Sequence, residues 1–259
     1  MIQLANEHTS LAVRQMWKTC FDDSEEFMDL YFSEKYQNEN TLIRFENNRA
    51  VASLQMLPYR FVFYDTEISV AYISGACTLP EFRKRGYMTE LMTAAFEVMK
   101  QRNIPLSILI PAEKWLYNYY AKLGYEQVFD ADETEIPLKN ILDQANGDLD
   151  VAYSLFNQSF NEKDFCIRKT KSDFLTIVKD AQLDNFPPKT NLAGMARIID
   201  AEYLISRYKQ KYPNSSFRFE KIDINLLCRL LFGYHLELLP QELSRNFEPH
   251  QPILNLMLE

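Results

Sequence analysis

The stretch from Ile68 to Lys100 constrains the fold most, because a long extended segment runs through a basic loop into a helix. Ile68–Thr78 is rich in small and β-branched residues, which predicts a strand that ends at Leu79-Pro80. From Gly86 onward, apolar residues recur at helical spacing, which predicts an amphipathic helix. The chain therefore needs a sheet in which one strand leads directly into a helix.

The elements on either side of this stretch predict an α+β fold. Before it we expect two helices within 9–36, a strand at 41–45, and two strands within 50–64 broken near Pro58. After it we expect a proline-bounded strand at 105–111, a helix at 112–123 that stops at Gly124, and a further strand. Helices and strands in this order favour a mixed sheet flanked by helices.

An acidic and polar stretch near residue 140 indicates a boundary. We expect a first domain at 1–138, a linker and helical segment at 139–191, and a small α+β domain at 192–259. The last domain is predicted to contain a strand at 195–199, a helix at 201–212, a strand at 217–222, a helix at 224–232 and an apolar tail at 252–259. Hydrophobicity should draw that tail back onto the protein.

Composition narrows the class of protein. A chain that is 47% hydrophobic can bury a core, and its net charge of −8 disfavours a nucleic-acid partner. The three histidines lack ligand spacing, so no metal site is expected. Four scattered cysteines, no leader sequence and no long apolar run predict a cytoplasmic protein without a membrane partner.

The basic loop Arg83-Lys84-Arg85 precedes the central helix and suggests an anion site. A helix N-terminus presents unpaired backbone N–H groups and partial positive charge, which suit a pyrophosphate. Gly86 would let the backbone approach the phosphates closely, and the three cations would add charge. The alternative is a solvated basic turn on the surface.

Two motifs carry a resemblance to the GCN5-related N-acetyltransferase (GNAT) family. Arg83-Lys84-Arg85-Gly86-Tyr87-Met88 resembles the family's Arg/Gln-x-x-Gly-x-Gly/Ala signature, with Met88 in place of the last Gly or Ala. Tyr119-Tyr120-Ala121-Lys122-Leu123-Gly124-Tyr125 resembles the family's Tyr-x-Lys-x-Gly-Tyr helix end. The resemblance covers roughly residues 1–138 and implies the GNAT fold, with a mixed, mostly antiparallel central sheet flanked by helices.

A finer resemblance points to the enhanced intracellular survival branch of that family. Ser74-Gly75-Ala76-Cys77-Thr78-Leu79-Pro80 followed by the basic loop is similar to that branch. Gly194–Asp200 and Leu230–Tyr234 resemble its sterol-carrier-like terminal domain. Members normally carry a second acetyltransferase-like region, for which residues 150–191 are too short, and residues 212–223 lack room for the usual strands of the terminal domain. The chain is then either a reduced member of the branch with a shortened terminal domain or a sequence from which segments are omitted.

The resemblance also implies the chemistry: direct transfer of acetyl from acetyl-CoA to a small primary amine, polyamine-like or aminoglycoside-like. The implied CoA contacts are Ala76, Cys77, Thr78, Arg83, Lys84, Arg85, Gly86, Tyr87, Met88 and Thr89. Tyr120 is implied as the general acid and the terminal carboxylate of Glu259 as the base, with Glu25, Glu26 and Glu113 in reserve. Cys77 is interpreted as a packing residue in the strand rather than a nucleophile.

A second reading belongs to another class of protein. In it the chain binds CoA without catalysis, and its C-terminal domain binds lipid or a protein partner. The sequence leaves open the identity of the acceptor amine and whether the chain forms a homo-oligomer.

Overall fold

The computed structural model of the protein describes residues 1–132, 134–160 and 163–257. Its strands are β1 (Ile2–Leu4), β2 (Thr41–Glu46), β3 (Arg49–Phe63), β4 (Thr66–Thr78), β5 (Leu106–Leu109), β6 (Glu126–Phe129), β7 (Ile167–Arg168) and β8 (Gly194–Ile198). Its α-helices are α1 (Ser10–Cys20), α2 (Glu25–Glu34), α3 (Tyr87–Gln101), α4 (Lys114–Ala121), α5 (Leu138–Gln144), α6 (Leu149–Gln158), α7 (Lys171–Leu183), α8 (Ala201–Lys211), α9 (Ile224–Leu231) and α10 (Gln241–Ser244). The predicted α+β class is confirmed. Across these described ranges, no helix is long and apolar enough to cross a membrane.

The chain forms two compact units, and the first contains residues 1–58 and 71–102. Within it the strands lie in the order β1-β2-β3-β4, and the pairing of β2 with β3 is antiparallel, with Leu42 opposite Leu54. Apolar side chains of α1, β2 and the end of β4 pack into one cluster that includes Val13, Met16, Ile43, Cys77 and Leu79. The helical periodicity of α1 therefore reflects the face that it buries.

The break between the first two helices is formed by a side-chain cap. Ser24 precedes α2 and accepts a hydrogen bond from the Phe27 N–H at 3.1 Å, which satisfies one of the unpaired donors of the helix start. Glu25 and Glu26 occupy its first turn, where negative charge is favourable. The predicted pair of helices is thus confirmed, and Ser24 is the residue that separates them.

Residues 50–64 differ from the sequence prediction of two strands broken near Pro58, because the structure has the single strand β3. Along one edge of β3, the pairing with β2 ends at Gln55, and the pairing with β7 begins at Arg60. Pro58 lies between these two partners, so its missing N–H interrupts no pairing on that edge. A proline that would stop a central strand is tolerated here for that reason.

The second compact unit contains residues 59–70 and 103–257, and its main feature is the position of β8. The strand order is β5-β8-β6, and β8 is antiparallel to both neighbours, with Ser107 opposite Arg197 and Gln127 opposite Met195. A strand from late in the chain is therefore a central strand of this sheet. The compact units accordingly do not follow the segments 1–138, 139–191 and 192–259 expected from sequence.

Three helices, α5, α6 and α7, occupy much of the segment expected as a linker and helical region. They pack around an apolar cluster that includes Phe156, Phe160 and Phe174. A capping box starts α7: Thr170 accepts from the Asp173 N–H, and the Asp173 carboxylate accepts from the Thr170 N–H. The segment thus builds a core that also takes in Leu256 of the C-terminal tail.

The strand predicted at 217–222 is wrong. Phe217 packs on Phe247 with ring centroids 4.8 Å apart, and Phe219 packs on Tyr208 at 5.4 Å. Alternate residues of an extended segment face the same side, so two phenylalanines that pack on one aromatic cluster give a strand-like pattern. Within the described chain this segment is held by those rings and has no strand partner.

The apolar tail folds back onto the protein as predicted, as far as the described residues extend. Ile253 forms a parallel bridge with Cys166, and its N–H donates to the Phe165 carbonyl at 2.8 Å. The Leu256 N–H donates to the Asn191 side chain at 2.8 Å, and Leu256 itself is buried. The tail is therefore anchored by both backbone hydrogen bonds and apolar burial.

Candidate active site

The start of α3 has the geometry of an anion-binding helix end. Gly86 is its N-cap, with φ +82° and no side-chain cap. A Cβ placed on Gly86 would meet no heavy atom within 4 Å, so the space beside this helix end is open. The first intrahelical bond runs from the Glu90 N–H to the Gly86 carbonyl, which leaves earlier N–H groups of the turn without an intrahelical acceptor.

The three cations of the loop have different surroundings. Arg83 Nε donates to the Thr78 carbonyl at 3.1 Å, which ties the loop back to the end of β4. Arg85 donates to the Glu81 carbonyl at 3.2 Å and lies 5.0 Å from the centre of the Phe82 ring. Lys84 is exposed with φ +63°, and it forms no ion pair within the described residues. Lys84 is thus the cation of this loop whose side chain is most available to bind an anionic ligand.

The first turn of α3 is held by Arg44 from β2. Arg44 pairs with Glu90 at 2.8 Å and lies 4.7 Å from the centre of the Tyr87 ring. This pairing offsets the negative charge that Glu90 would otherwise present to an anion at the helix end. Met88, the departure from the family signature, is half-buried, and Thr89 is exposed.

The end of β4 carries the predicted CoA strand, Ala76–Thr78. Just before it, Gly75 has φ +56°, a left-handed conformation inside a strand. Along one edge β4 has β3, whereas its other neighbour, β5, has four residues against thirteen in β4. Within the described residues, most of that second edge therefore has no strand partner and could receive an extended ligand.

A polar and aromatic group beside Gly75 was not anticipated from the sequence. The Tyr31 hydroxyl lies 2.8 Å from Ser74 Oγ and 3.1 Å from Gln55 Oε1. Gln55 is buried, and Trp17 packs on Tyr31 with ring centroids 4.4 Å apart. Tyr31, Gln55 and Ser74 come from α2, β3 and β4, so no local pattern links them. The signal in the sequence that could have indicated this group is the occurrence of polar side chains within otherwise apolar segments.

Tyr120 lies in the second unit, buried near the end of α4. Burial, with a smaller effect from Tyr119, raises the pKa of Tyr120 to about 12. The phenol therefore stays protonated at neutral pH, which a proton donor requires. Gly124, with φ +83°, lets the chain turn after α4. Tyr125 then packs on Tyr120 with ring centroids 5.7 Å apart.

The candidate bases differ in their surroundings. Glu25 is exposed and pairs with Lys18 and Arg14, and these hydrogen bonds, that of Lys18 above all, lower its pKa. Glu113 is exposed and accepts a hydrogen bond from Trp115 Nε1 at 2.7 Å. Glu26 is exposed in the first turn of α2. Glu259 lies outside the described residues.

The structure brings the ten predicted CoA residues together in the first unit, as one continuous strand, loop and helix. Residues 1–128 match the family model described as an acetyltransferase (GNAT) domain, and this match includes both sequence motifs. No curated protein matches the chain.

Solved structures share the fold at low sequence identity. An Enterococcus faecalis protein described as a conserved protein of unknown function and probable N-acyltransferase aligns with a TM-score of 0.61 at 14% identity, over 98% of each chain. Eis1 from Mycobacterium abscessus aligns with a TM-score of 0.52 at 14% identity, over 70% of this chain and 49% of that one. A GCN5-related N-acetyltransferase from Kribbella flavida aligns with a TM-score of 0.50 at 14% identity, over 80% of this chain and 74% of that one. At these identities the likeness concerns the fold alone.

Proposed function

Because residues 1–128 match the model of the acetyltransferase (GNAT) domain, we propose that the chain transfers acetyl from acetyl-CoA directly to a small primary amine. The observation that carries the proposal is Gly86, which starts α3 at φ +82° with open space where a side chain would stand. A pyrophosphate in that space would meet the N–H groups of the helix end. Lys84 and Arg83 would add charge-assisted contacts.

The rest of CoA would follow β4. Pantetheine carries amide groups, and the backbone of Ala76–Thr78 offers complementary donors and acceptors along an edge that β5 covers only in part. This mode requires no particular side chain at these positions. It accommodates Cys77, whose side chain is buried in the apolar cluster of the first unit.

The reaction requires a neutral amine, attack on the thioester carbonyl, and protonation of the departing thiolate. We assign the last step to Tyr120, on the strength of its motif and of a pKa near 12 that keeps its proton available. The base is assigned to the terminal carboxylate of Glu259. The docking of Ile253 and Leu256 supports this assignment, since it holds the described part of the tail against the protein.

The acceptor is proposed to be cationic, polyamine-like or aminoglycoside-like. The net charge of −8 favours the approach of such amines. The fold likeness to Eis1 is consistent with the enhanced intracellular survival branch. We also propose, from the same branch resemblance, that residues 192–259 are related to a shortened sterol-carrier-like domain.

The test is a screen of acetyl-CoA turnover across simple amines, polyamines and aminoglycosides, followed by the release of free thiol. We expect turnover with at least one cationic amine, and mass spectrometry should show one added acetyl group on it. Binding of CoA with no thiol release across the panel would instead support a non-catalytic CoA-binding protein.

A matched pair of glycine variants tests the phosphate site itself. Gly86 and Gly147 have nearly equal φ, +82° and +83°, and a Cβ on either would meet nothing within 4 Å. Gly86→Ala and Gly147→Ala should therefore cost similar stability, while only Gly86→Ala should weaken CoA. Calorimetric CoA affinity that is the same in both variants would remove the assignment.

A further inference from the structure

Two cysteines meet in the first unit at the end of β4. Cys20 is the last residue of α1 and Cys77 precedes the last residue of β4, and Cys20 packs against the apolar cluster that contains Cys77. Cys20 Sγ also lies 3.5 Å from the Thr78 carbonyl, and Cys77 Sγ lies 3.4 Å from Ser53 Oγ. Both cysteines belong to the same apolar cluster. Each thiol is therefore fixed by a polar neighbour as well as by apolar packing.

The two thiols have unequal surroundings. Cys20 is partly exposed, whereas Cys77 is buried. Arg83, whose Nε donates to the same Thr78 carbonyl, stabilises a thiolate on Cys20, while Glu81 opposes it. The neighbouring Cys77 thiol has the largest effect and burial acts against it, and the net result lowers the pKa of Cys20 to about 7. The Cys20 thiol and, after it, burial raise the pKa of Cys77 well above its ordinary value.

We infer that Cys20 and Cys77 form an oxidation site, in which a hydroperoxide converts the two thiols into a reversible disulfide between α1 and β4. The partly exposed Cys20 thiolate attacks the O–O bond, forming an S–O bond and releasing hydroxide. Cys77 then attacks the Cys20 sulfur, the S–O bond breaks, and the oxygen leaves as water with the Cys77 proton. Two thiols and one hydrogen peroxide yield one disulfide and two waters.

The other two cysteines are suited as internal references. Cys166 and Cys228 are both buried in the second unit, and burial raises the pKa of each. Their sulfur atoms face backbone carbonyls, of Ile167 at 3.4 Å and of Ala196 at 3.5 Å. Oxidation of a partly exposed, low-pKa thiol beside a second thiol should precede oxidation of these two.

The experiment treats the full chain with a small excess of hydrogen peroxide and maps disulfides by mass spectrometry without reduction. We expect a Cys20–Cys77 cross-linked peptide, an intact mass lower by two hydrogens, and full reversal by dithiothreitol. The rate of Cys20 alkylation should also show an inflection near pH 7. None of these readouts depends on CoA binding or turnover, so they can fail independently of the proposed function.

Three variants make the test specific. C77S should leave Cys20 as a sulfenic acid that dimedone traps, and C20S should abolish the cross-link. C228S, the control, should still form it. The proposal is overturned if peroxide-treated wild type contains no Cys20–Cys77 peptide while its thiols are consumed, or if C20S loses thiols at the wild-type rate.

Discussion

Trp17 lies directly against Gly75. A Cβ placed on Gly75 would come within 2.9 Å of Trp17 Cε3 and closer still to the neighbouring ring carbon. Trp17 is itself fixed by Asp23, which accepts from its indole N–H at 2.6 Å. The indole of Trp17 in α1 thus occupies the space that a side chain at position 75 would need.

Gly75→Ala should therefore lower the free energy of unfolding by about 2 to 4 kcal/mol, because it adds both backbone strain and overpacking. Gly147→Ala, at φ +83° with open space around it, should show only the strain, about 1 kcal/mol. Urea denaturation with an unchanged slope would measure both losses. Equal losses would mean that Trp17 moves aside without cost.

Reversing the charge of Arg83 and Lys84 together should weaken CoA binding by roughly ten- to a hundredfold at low salt, because charged hydrogen bonds to phosphate are lost. The difference should shrink as salt rises. Reversal of Lys100 and Lys139, two exposed lysines elsewhere, changes the net charge equally and is the control. If both double variants bind alike in calorimetry, the effect belongs to overall charge and not to the loop.

Tyr120→Phe should reduce turnover by ~10²–10⁴-fold with little change in acetyl-CoA affinity, because only the proton donor is removed. With a pKa of about 12, Tyr120 should also cause no loss of rate below pH 10. Tyr117→Phe removes a half-buried hydroxyl from the same helix and should leave turnover intact. Unchanged turnover in Tyr120→Phe, measured where chemistry limits the rate, would return this residue to a packing role.

A Gly-Ser extension after Glu259 should damage turnover more than CoA binding, because it displaces the proposed base. Removing Glu259 alone shifts the carboxylate by one residue and keeps the anchors from Ile253 to Leu256. Melting temperature must be followed in both variants to separate loss of the base from loss of tail packing. Wild-type turnover in both would make Glu25, Glu26 and Glu113 the next residues to substitute.

His250 should make the protein less stable as pH falls from 7 to 5. Its ring stacks on that of Phe165 with ring centroids 4.1 Å apart, and within the described residues its buried Nε2 has no hydrogen-bond partner. Burial lowers its pKa, with Lys211 in the same direction and Asp164 and Glu248 opposed.

The sign follows from proton uptake. Below the ordinary histidine pKa the unfolded chain binds a proton more readily than the folded one, so acid favours unfolding. His250→Gln should therefore lose less unfolding free energy between pH 7 and 5 than wild type, as measured by urea midpoints. Parallel pH profiles would show that other groups set the acid sensitivity.

Local sequence patterns were enough to predict the elements that hold the candidate CoA site. Periodicity placed β4 and α3, and the scarcity of glycine made Gly86 and Gly124 stand out at positions where the structure has φ +82° and +83°. These features depend on neighbours within a few residues. Such neighbours can be read from a single sequence.

Contacts between distant residues could not be predicted in this way. Trp17 and Gly75, or Cys20 and Cys77, are more than fifty positions apart, and no local periodicity links them. The continuity of β3 through Pro58 depends on where two partner strands happen to end. The Tyr31, Gln55 and Ser74 group was missed for the same reason.

The place of β8 between β5 and β6 has a consequence for how the protein is made. When the ribosome has produced the first 138 residues, β5 and β6 both still lack the strand that will lie between them. The emerging chain must then wait for α5, α6 and α7 to be synthesised before Gly194–Ile198 arrives. Long-range pairings of this kind slow folding, because a long loop must close first. A fragment that ends near residue 138 would therefore leave the ribosome with β5 and β6 both missing the strand that pairs with them, and only the longer chain can close that sheet.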